Sequence, residues 1–146
     1  MVYIIIFILS FFLSYQSVAY SDINIRNHNG IFCYDGDTCY VEIDGEIRDT
    51  EGRLLKIRLL ELDTPEISKP KCDKELEWGF KARNYINNLI MNAATVSIET
   101  DYSIDNKKYN RTLAHIIVDG KNVSELMVKN NLGVVYQQDK KKDWCE

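Results

Sequence analysis

The chain has 146 residues, 18 Lys and Arg against 22 Asp and Glu, and 45% hydrophobic content. That length suits one domain, the balance excludes global disorder, and seven Gly with two Pro exclude collagen-like and Pro/Gly-rich classes. A net charge of −4 excludes a protein that coats nucleic acid by general electrostatics, but not an enzyme that acts on it through a small basic site.

Residues 1–19 carry no charged side chain, and Val2 to Leu13 is apolar apart from Ser10. Such a run is short for a bilayer span, which needs about 20 residues, and suits a signal-peptide core of roughly 7–15. Ser17-Val18-Ala19 places small residues where a signal peptidase reads, so cleavage after Ala19 is expected, although no Lys or Arg precedes the apolar core. A retained membrane anchor and a buried helix are the alternatives. Residues 20–29 read as a polar tether, and 30–146 as one domain.

Within that domain, Ile31 to Tyr34 and Thr38 to Ile43 are strand-like and flank a turn at Asp35-Gly36-Asp37. Leu54 to Leu62 reads as a strand with Leu55, Ile57 and Leu59 on one face, and residues 67–73 as a loop. Helical spacing of Trp78, Ala82, Tyr85, Ile86, Leu89 and Ile90 predicts a helix over Lys74 to Met91, with Asp73 as its N-cap. Thr95 to Glu99 and Thr112 to Val118 are further strands, joined by the polar loop 101–108. Asp119-Gly120 then turns the chain into a second helix over Val123 to Asn131, opened by Asn122 and Glu125 in capping-box spacing. With no internal repeat and no interdomain linker, the class is a small, β-rich α+β domain.

The four cysteines all follow the apolar segment, and an even count in that context reads as disulfides with three possible connectivities. A hairpin turning near Gly36 would set Cys33 opposite Cys39, which would leave Cys72 for Cys145; no C-x-x-C pair supports a zinc site. The connectivity stays open at this point.

Two acidic turns stand out, Asp35-Gly36-Asp37-Thr38 and Asp63-Thr64-Pro65-Glu66, the second directly after a strand bearing Arg58. Carboxylates near strand ends suit a hard cation, which prefers oxygen ligands, and arginine offers a permanent planar charge suited to phosphate. Arg111, preceded by Lys108 and Tyr109, is a second such cation. Each motif alone has an ordinary explanation as a turn, a cap or a surface pair; together they are a kit for phosphodiester hydrolysis.

The series Asp35-Gly36-Asp37-Thr38, Arg58-Leu59-Leu60-x-x-Asp63-Thr64-Pro65-Glu66 and Tyr109-x-Arg111-Thr112-Leu113-Ala114 resembles the staphylococcal nuclease (thermonuclease) family. The resemblance implies an OB-fold, a five-stranded barrel with two or three packed helices, cleaving DNA and RNA with calcium. It implies Asp37 and Asp63 as calcium carboxylates with the Thr64 carbonyl, Glu66 as the base on the attacking water, and Arg58 and Arg111 on the scissile phosphate. Lys108 and Tyr109 match terminal-phosphate positions, Tyr136 lies near the base-contacting aromatic, and Asp35 stands beside the metal turn. Products would end in a 3′-phosphate.

Three departures matter. The stretch from Asp37 to Arg58 is longer than in the type member, so its hairpin should extend further. Asn110 replaces a glycine, as the residue next best suited to a left-handed turn. No long C-terminal helix precedes Glu146, and a Cys72–Cys145 bridge would substitute as a clamp. The run Lys140 to Lys142 reads as solvated surface or as a phosphate contact, and Trp144 as an anchor for the tail. His28 and His115 carry no catalytic expectation. The expectation is an exported, monomeric calcium nuclease with nucleic acid as substrate and no stable protein partner. Its rivals are a non-catalytic nucleic-acid-binding module of the same fold and a disulfide-stapled calcium-binding structural domain.

Overall fold

The computed structural model describes residues 30–41, 55–100, 103–105, 109–136 and 141–146. The signal segment, the tether, the extension of the first hairpin and Lys108 lie outside the described residues. Among the described residues no helix is long and apolar enough to cross a membrane.

The described residues form eight strands and two helices in the order β1 (Ile31–Cys33), β2 (Thr38–Val41), β3 (Leu55–Leu59), β4 (Leu62–Asp63), α1 (Asp73–Asn92), β5 (Val96–Glu99), β6 (Thr112–Val118), β7 (Lys121–Asn122), α2 (Val123–Lys129) and β8 (Val134–Val135). The main sheet runs β1-β2-β3-β6-β5, with β7 paired to β6, and β4 pairs β8 in a separate ribbon. All pairings are antiparallel except β3 with β6. This five-strand path, curled over two helices, is the OB-type α+β fold.

Alternation drives the sheet. In β6, Thr112, Ala114, Ile116 and Val118 are buried while the residues between them are partly exposed, the period-2 pattern of a half-buried strand. Helix α1 lays Ala82, Ile86 and Ile90 on the concave face at four-residue intervals, each with no exposed surface. They meet Ile57, Leu59, Ile98 and Ile116 in a single core, each large aliphatic contributing about 1.5–3 kcal/mol on burial. The edge of β1 is covered by the same helix: Asn87 accepts from the Cys33 amide and donates to its carbonyl, both at 2.9 Å.

Three expectations shift. The segment read as one strand, Leu54 to Leu62, breaks into β3 and β4, because Glu61 adopts a left-handed φ of 58° and redirects Leu62 into the core. The N-cap of α1 is Cys72, not Asp73; its sulfur accepts from the Glu75 amide. The second helix ends at Lys129, and a short strand β7 follows Asp119-Gly120, whose φ values of 47° and 73° make the tight turn that suits a two-residue hairpin.

The sulfurs of Cys33 and Cys39 are bonded across the β1–β2 register, and those of Cys72 and Cys145 join the start of α1 to the chain end. No cysteine is free.

Gly79 sits in mid-helix, where alanine is ordinarily favoured by about 1 kcal/mol. A Cβ there would fall 2.8 Å from Ile67 Cγ1 and 3.1 Å from the carbonyl oxygens of Pro65 and Glu66. The helix therefore presses directly against the loop that carries Glu66. Gly79→Ala is expected to lower stability by about 1–3 kcal/mol, an overpacking cost, where an unobstructed helix position would gain. Denaturant unfolding of the two chains checks the sign.

Candidate active site

The first acidic turn is built by Asp35. Its Oδ1 accepts from the backbone amides of Asp37 (3.1 Å) and Thr38 (2.7 Å), an Asx-type turn that aims the Asp37 side chain across to the second acidic segment. Asp37 Oδ2 there accepts from the Thr64 amide at 3.2 Å and pairs with Arg58 Nη1 at 2.8 Å. Its Oδ1 takes the Thr38 hydroxyl at 3.2 Å, and its backbone carbonyl receives the Leu59 amide at 2.9 Å. The close approach requires Gly36, since a Cβ at that position would lie 2.7–2.8 Å from the Thr64 side chain.

Asp63 ends β4 and is held by pairing with Val134 of β8. Its carboxyl is pushed above the usual range by burial and by the neighbouring charge of Asp37. Glu66 follows Pro65 on an irregular loop whose amides are gathered by Glu75, a buried side chain in the first turn of α1. Glu75 accepts from the Lys71 amide at 2.6 Å and from the Glu66 amide at 3.4 Å.

Arg111 precedes β6, behind Asn110, whose φ of 47° is the left-handed turn that asparagine tolerates. Its guanidinium donates through Nε (2.8 Å) and Nη2 to Asp105 Oδ2, and through Nη1 to the Thr38 hydroxyl at 3.2 Å. The parallel β3–β6 register, which pairs Arg58 with Leu113, brings this arginine to the same end of the sheet as Arg58. Tyr109 lies 5.2 Å from the Arg111 guanidinium, and Tyr136 lies 5.9 Å from that of Arg58.

Asp37, Arg58, Asp63, Thr64, Glu66, Tyr109, Arg111 and Tyr136 thus line one open cleft of about 810 Å³. Every site residue expected from the sequence lies there, apart from Lys108, which is outside the described residues. Three contributors were missed. Asp105 orients Arg111 from a loop that reads only as polar. Glu75 holds the Glu66 loop, and a charged residue on the helix's packed face was the available signal. Lys141 pairs with Glu66 Oε1 at 2.8 Å, so the basic run near the C-terminus is not merely solvated surface.

The donor set suits a hard cation. Asp37 and Asp63 are buried and repel each other, and Thr64 Oγ1 is a buried hydroxyl with no hydrogen-bond partner among the described residues. Among the described residues no group of three His, Cys, Asp or Glu side chains forms a metal cluster. A cation would therefore rest on two carboxylates, the Thr64 oxygens and water, a combination acceptable to calcium.

The OB-type sheet thus gathers acidic turns and two arginines at one end, an arrangement chemically suited to a hard cation and a phosphate group. The family comparison agrees: residues 56–145 match the model described as staphylococcal nuclease homologue. The chain belongs to that family. It is 36% identical over 101 residues to both endonuclease YncB and the SPbeta prophage-derived endonuclease YokF of Bacillus subtilis. These alignments cover 69% of this chain, with 44% of YncB and 31% of YokF. It is 27% identical over 118 residues to the thermonuclease of Staphylococcus hyicus, covering 81% of this chain and 64% of that protein. The chain spans less than two thirds of the length of each of these relatives.

Burial, together with the Asp37 and Glu66 charges, raises the Asp35 carboxyl from 3.8 to about 6, against the two amides that favour its anion. A raised acid opposes folding once it must ionise. The penalty is absent below the unfolded value near 3.8, grows with pH, and is fully present above about 6. Asp35→Asn keeps the amide acceptor and removes the charge, so it should flatten the fall in unfolding free energy between pH 4 and 7 in metal-free buffer. Denaturant melts across that range check it; an unchanged slope would contradict the assignment.

Proposed function

We propose that this chain is a calcium-dependent nuclease that hydrolyses phosphodiester bonds of DNA and RNA, and that it acts after export and cleavage behind Ala19. The observation that carries the activity is the convergence of two buried carboxylates, a separate glutamate and two arginines from four parts of the chain on one cleft. The export reading rests on the apolar segment and on four cysteines that are all paired.

In this reading Asp37, Asp63 and Thr64 hold the calcium, which when bound supplies positive charge to the phosphate and lowers the pKa of coordinated water. Arg58 and Arg111 grip the non-bridging phosphate oxygens, and the fixed geometry that Asp105 gives Arg111 pre-pays part of the ordering cost. Glu66 takes the proton from the water as its oxygen bonds to phosphorus. The bond from phosphorus to the 5′-oxygen breaks, the leaving oxygen picks up a proton from solvent, and the 3′-phosphate remains. The negative total charge is no obstacle, because the field at the phosphate is set by the bound cation and the two guanidiniums.

Incubating the full chain with a single-stranded oligonucleotide and calcium tests this, with and without chelator, beside Glu66→Ala. Chelation should abolish cleavage, Glu66→Ala should lower kcat by about 10²–10⁴, and Arg111→Ala by about 10²–10³. Cleavage that survives both chelator and Glu66→Ala overturns the mechanism. Binding without cleavage by the intact chain would instead identify a non-catalytic module of the same fold.

A further inference from the structure

Residues 141–146 lie against the cleft through several independent contacts. Cys145 is bonded to Cys72 at the cap of α1. The Glu146 carbonyl accepts from Lys74 in the first turn of that helix. Trp144 is buried, with Lys142 Nζ 4.4 Å from its ring. The Lys142 amide donates to Asp63 Oδ2 at 3.4 Å, and Lys141 Nζ reaches Glu66 Oε1 at 2.8 Å. The segment thus touches both a candidate metal ligand and the candidate base.

We propose that this segment is a strap, fastened by the Cys72–Cys145 bridge, and that Lys141 is a positioning residue that orients Glu66 for proton abstraction. The inference rests on the nuclease reading above. Glu66 is fixed at its backbone by Glu75, but its side chain projects from a loop and is about one third exposed. Left alone, that carboxylate would rotate freely. The Lys141 ammonium holds Oε1 and leaves Oε2 as the atom that receives the proton. Holding a reacting group within a fraction of an ångström matters, since a misplacement of about 1 Å can cost about 10²-fold.

The bridge supplies what the lysine alone cannot. A flexible basic tail would visit Glu66 only part of the time and would serve mainly as a phosphate-attracting charge. Tying Cys145 to the α1 cap, the same helix turn that holds the Glu66 loop through Glu75, puts both partners on one frame. Activity is therefore coupled to the redox state of one disulfide that lies outside the cleft chemistry.

Two measurements on the full chain decide the matter. The first is a zero-length carbodiimide cross-link, which joins a lysine amine to a carboxylate only when the two are in contact. Peptide mass spectrometry should find the Lys141–Glu66 amide in the parent chain, and lose it in Glu66→Gln and Cys145→Ser. Its absence from the parent overturns the strap whether or not the chain cleaves nucleic acid. The second is steady-state cleavage of the single-stranded oligonucleotide. Lys141→Ala should lower kcat at least about ten-fold with KM within two-fold, Lys141→Arg should recover most of it, and Cys145→Ser should match Lys141→Ala without adding to it in the double variant. Lys141 is largely exposed, so its variants test the site with the fold intact even if Cys145→Ser is destabilised. An unchanged kcat with raised KM and steeper salt dependence would make Lys141 a phosphate contact and overturn the positioning role. A fully active Cys145→Ser beside an impaired Lys141→Ala would overturn the role of the bridge. A parent that forms the cross-link but never cleaves would refute the nuclease reading and the catalytic role, while leaving the strap itself established.

Discussion

The carboxylate of Asp37 is the point on which the site depends. One oxygen accepts the Thr64 amide and faces the Arg58 guanidinium at 2.8 Å, so a single side chain ties the β1–β2 turn, strand β3 and the Glu66 loop. All three partners are mostly buried. In such a setting a charge without compensation is costly, and each group fixes the others. The same contacts set the geometry in which a cation could replace or join the arginine as counter-charge. Burial first, and the neighbouring Asp37 charge second, raise Asp63 and Asp35 above their ordinary range, a cost that the fold must offset elsewhere.

The hydrophobic core supplies that offset. The sheet and α1 bury a continuous aliphatic cluster, and the parallel β3–β6 pairing brings residues distant in sequence to one end of it. Several supports of the Glu66 loop come from α1 and its cap: Gly79 gives it room, Glu75 gathers its amides, and Cys72 caps the helix and fastens the chain end. Stability and site geometry are carried here by the same helix turn, so a change at the cap reaches both.

The acidic turns, the two arginines and the glutamate were legible as residue types at informative spacings, and the five strands of the main sheet path and both helices were legible from their patterns, whereas the two-residue strands β4, β7 and β8 were not. What escaped were groups whose importance is spatial. Asp105 and Arg111 are close in sequence, but nothing in a polar loop shows that the acid will fork the guanidinium. Lys141 meets Glu66 across a separation of 75 residues, and no local pattern encodes that. The break of the third strand at Glu61 was hidden because a left-handed non-glycine residue leaves no compositional mark. The N-cap falls on Cys72 and not Asp73, since it is the Cys72 sulfur that accepts from the Glu75 amide, a role that cysteine's residue type does not advertise.

What the sequence determined by itself was therefore the inventory: hydrophobic periodicity marks helices and strands because it shows which residues share a face, and charged motifs name the functional groups on hand, whose behaviour their surroundings then set. What only the tertiary structure decided was convergence. Which carboxylates repel, which arginine is clamped and by what, and where the tail of the chain comes to rest follow from distances between elements. Those distances are set by packing and covalent closure over the whole chain, which no local stretch of sequence contains.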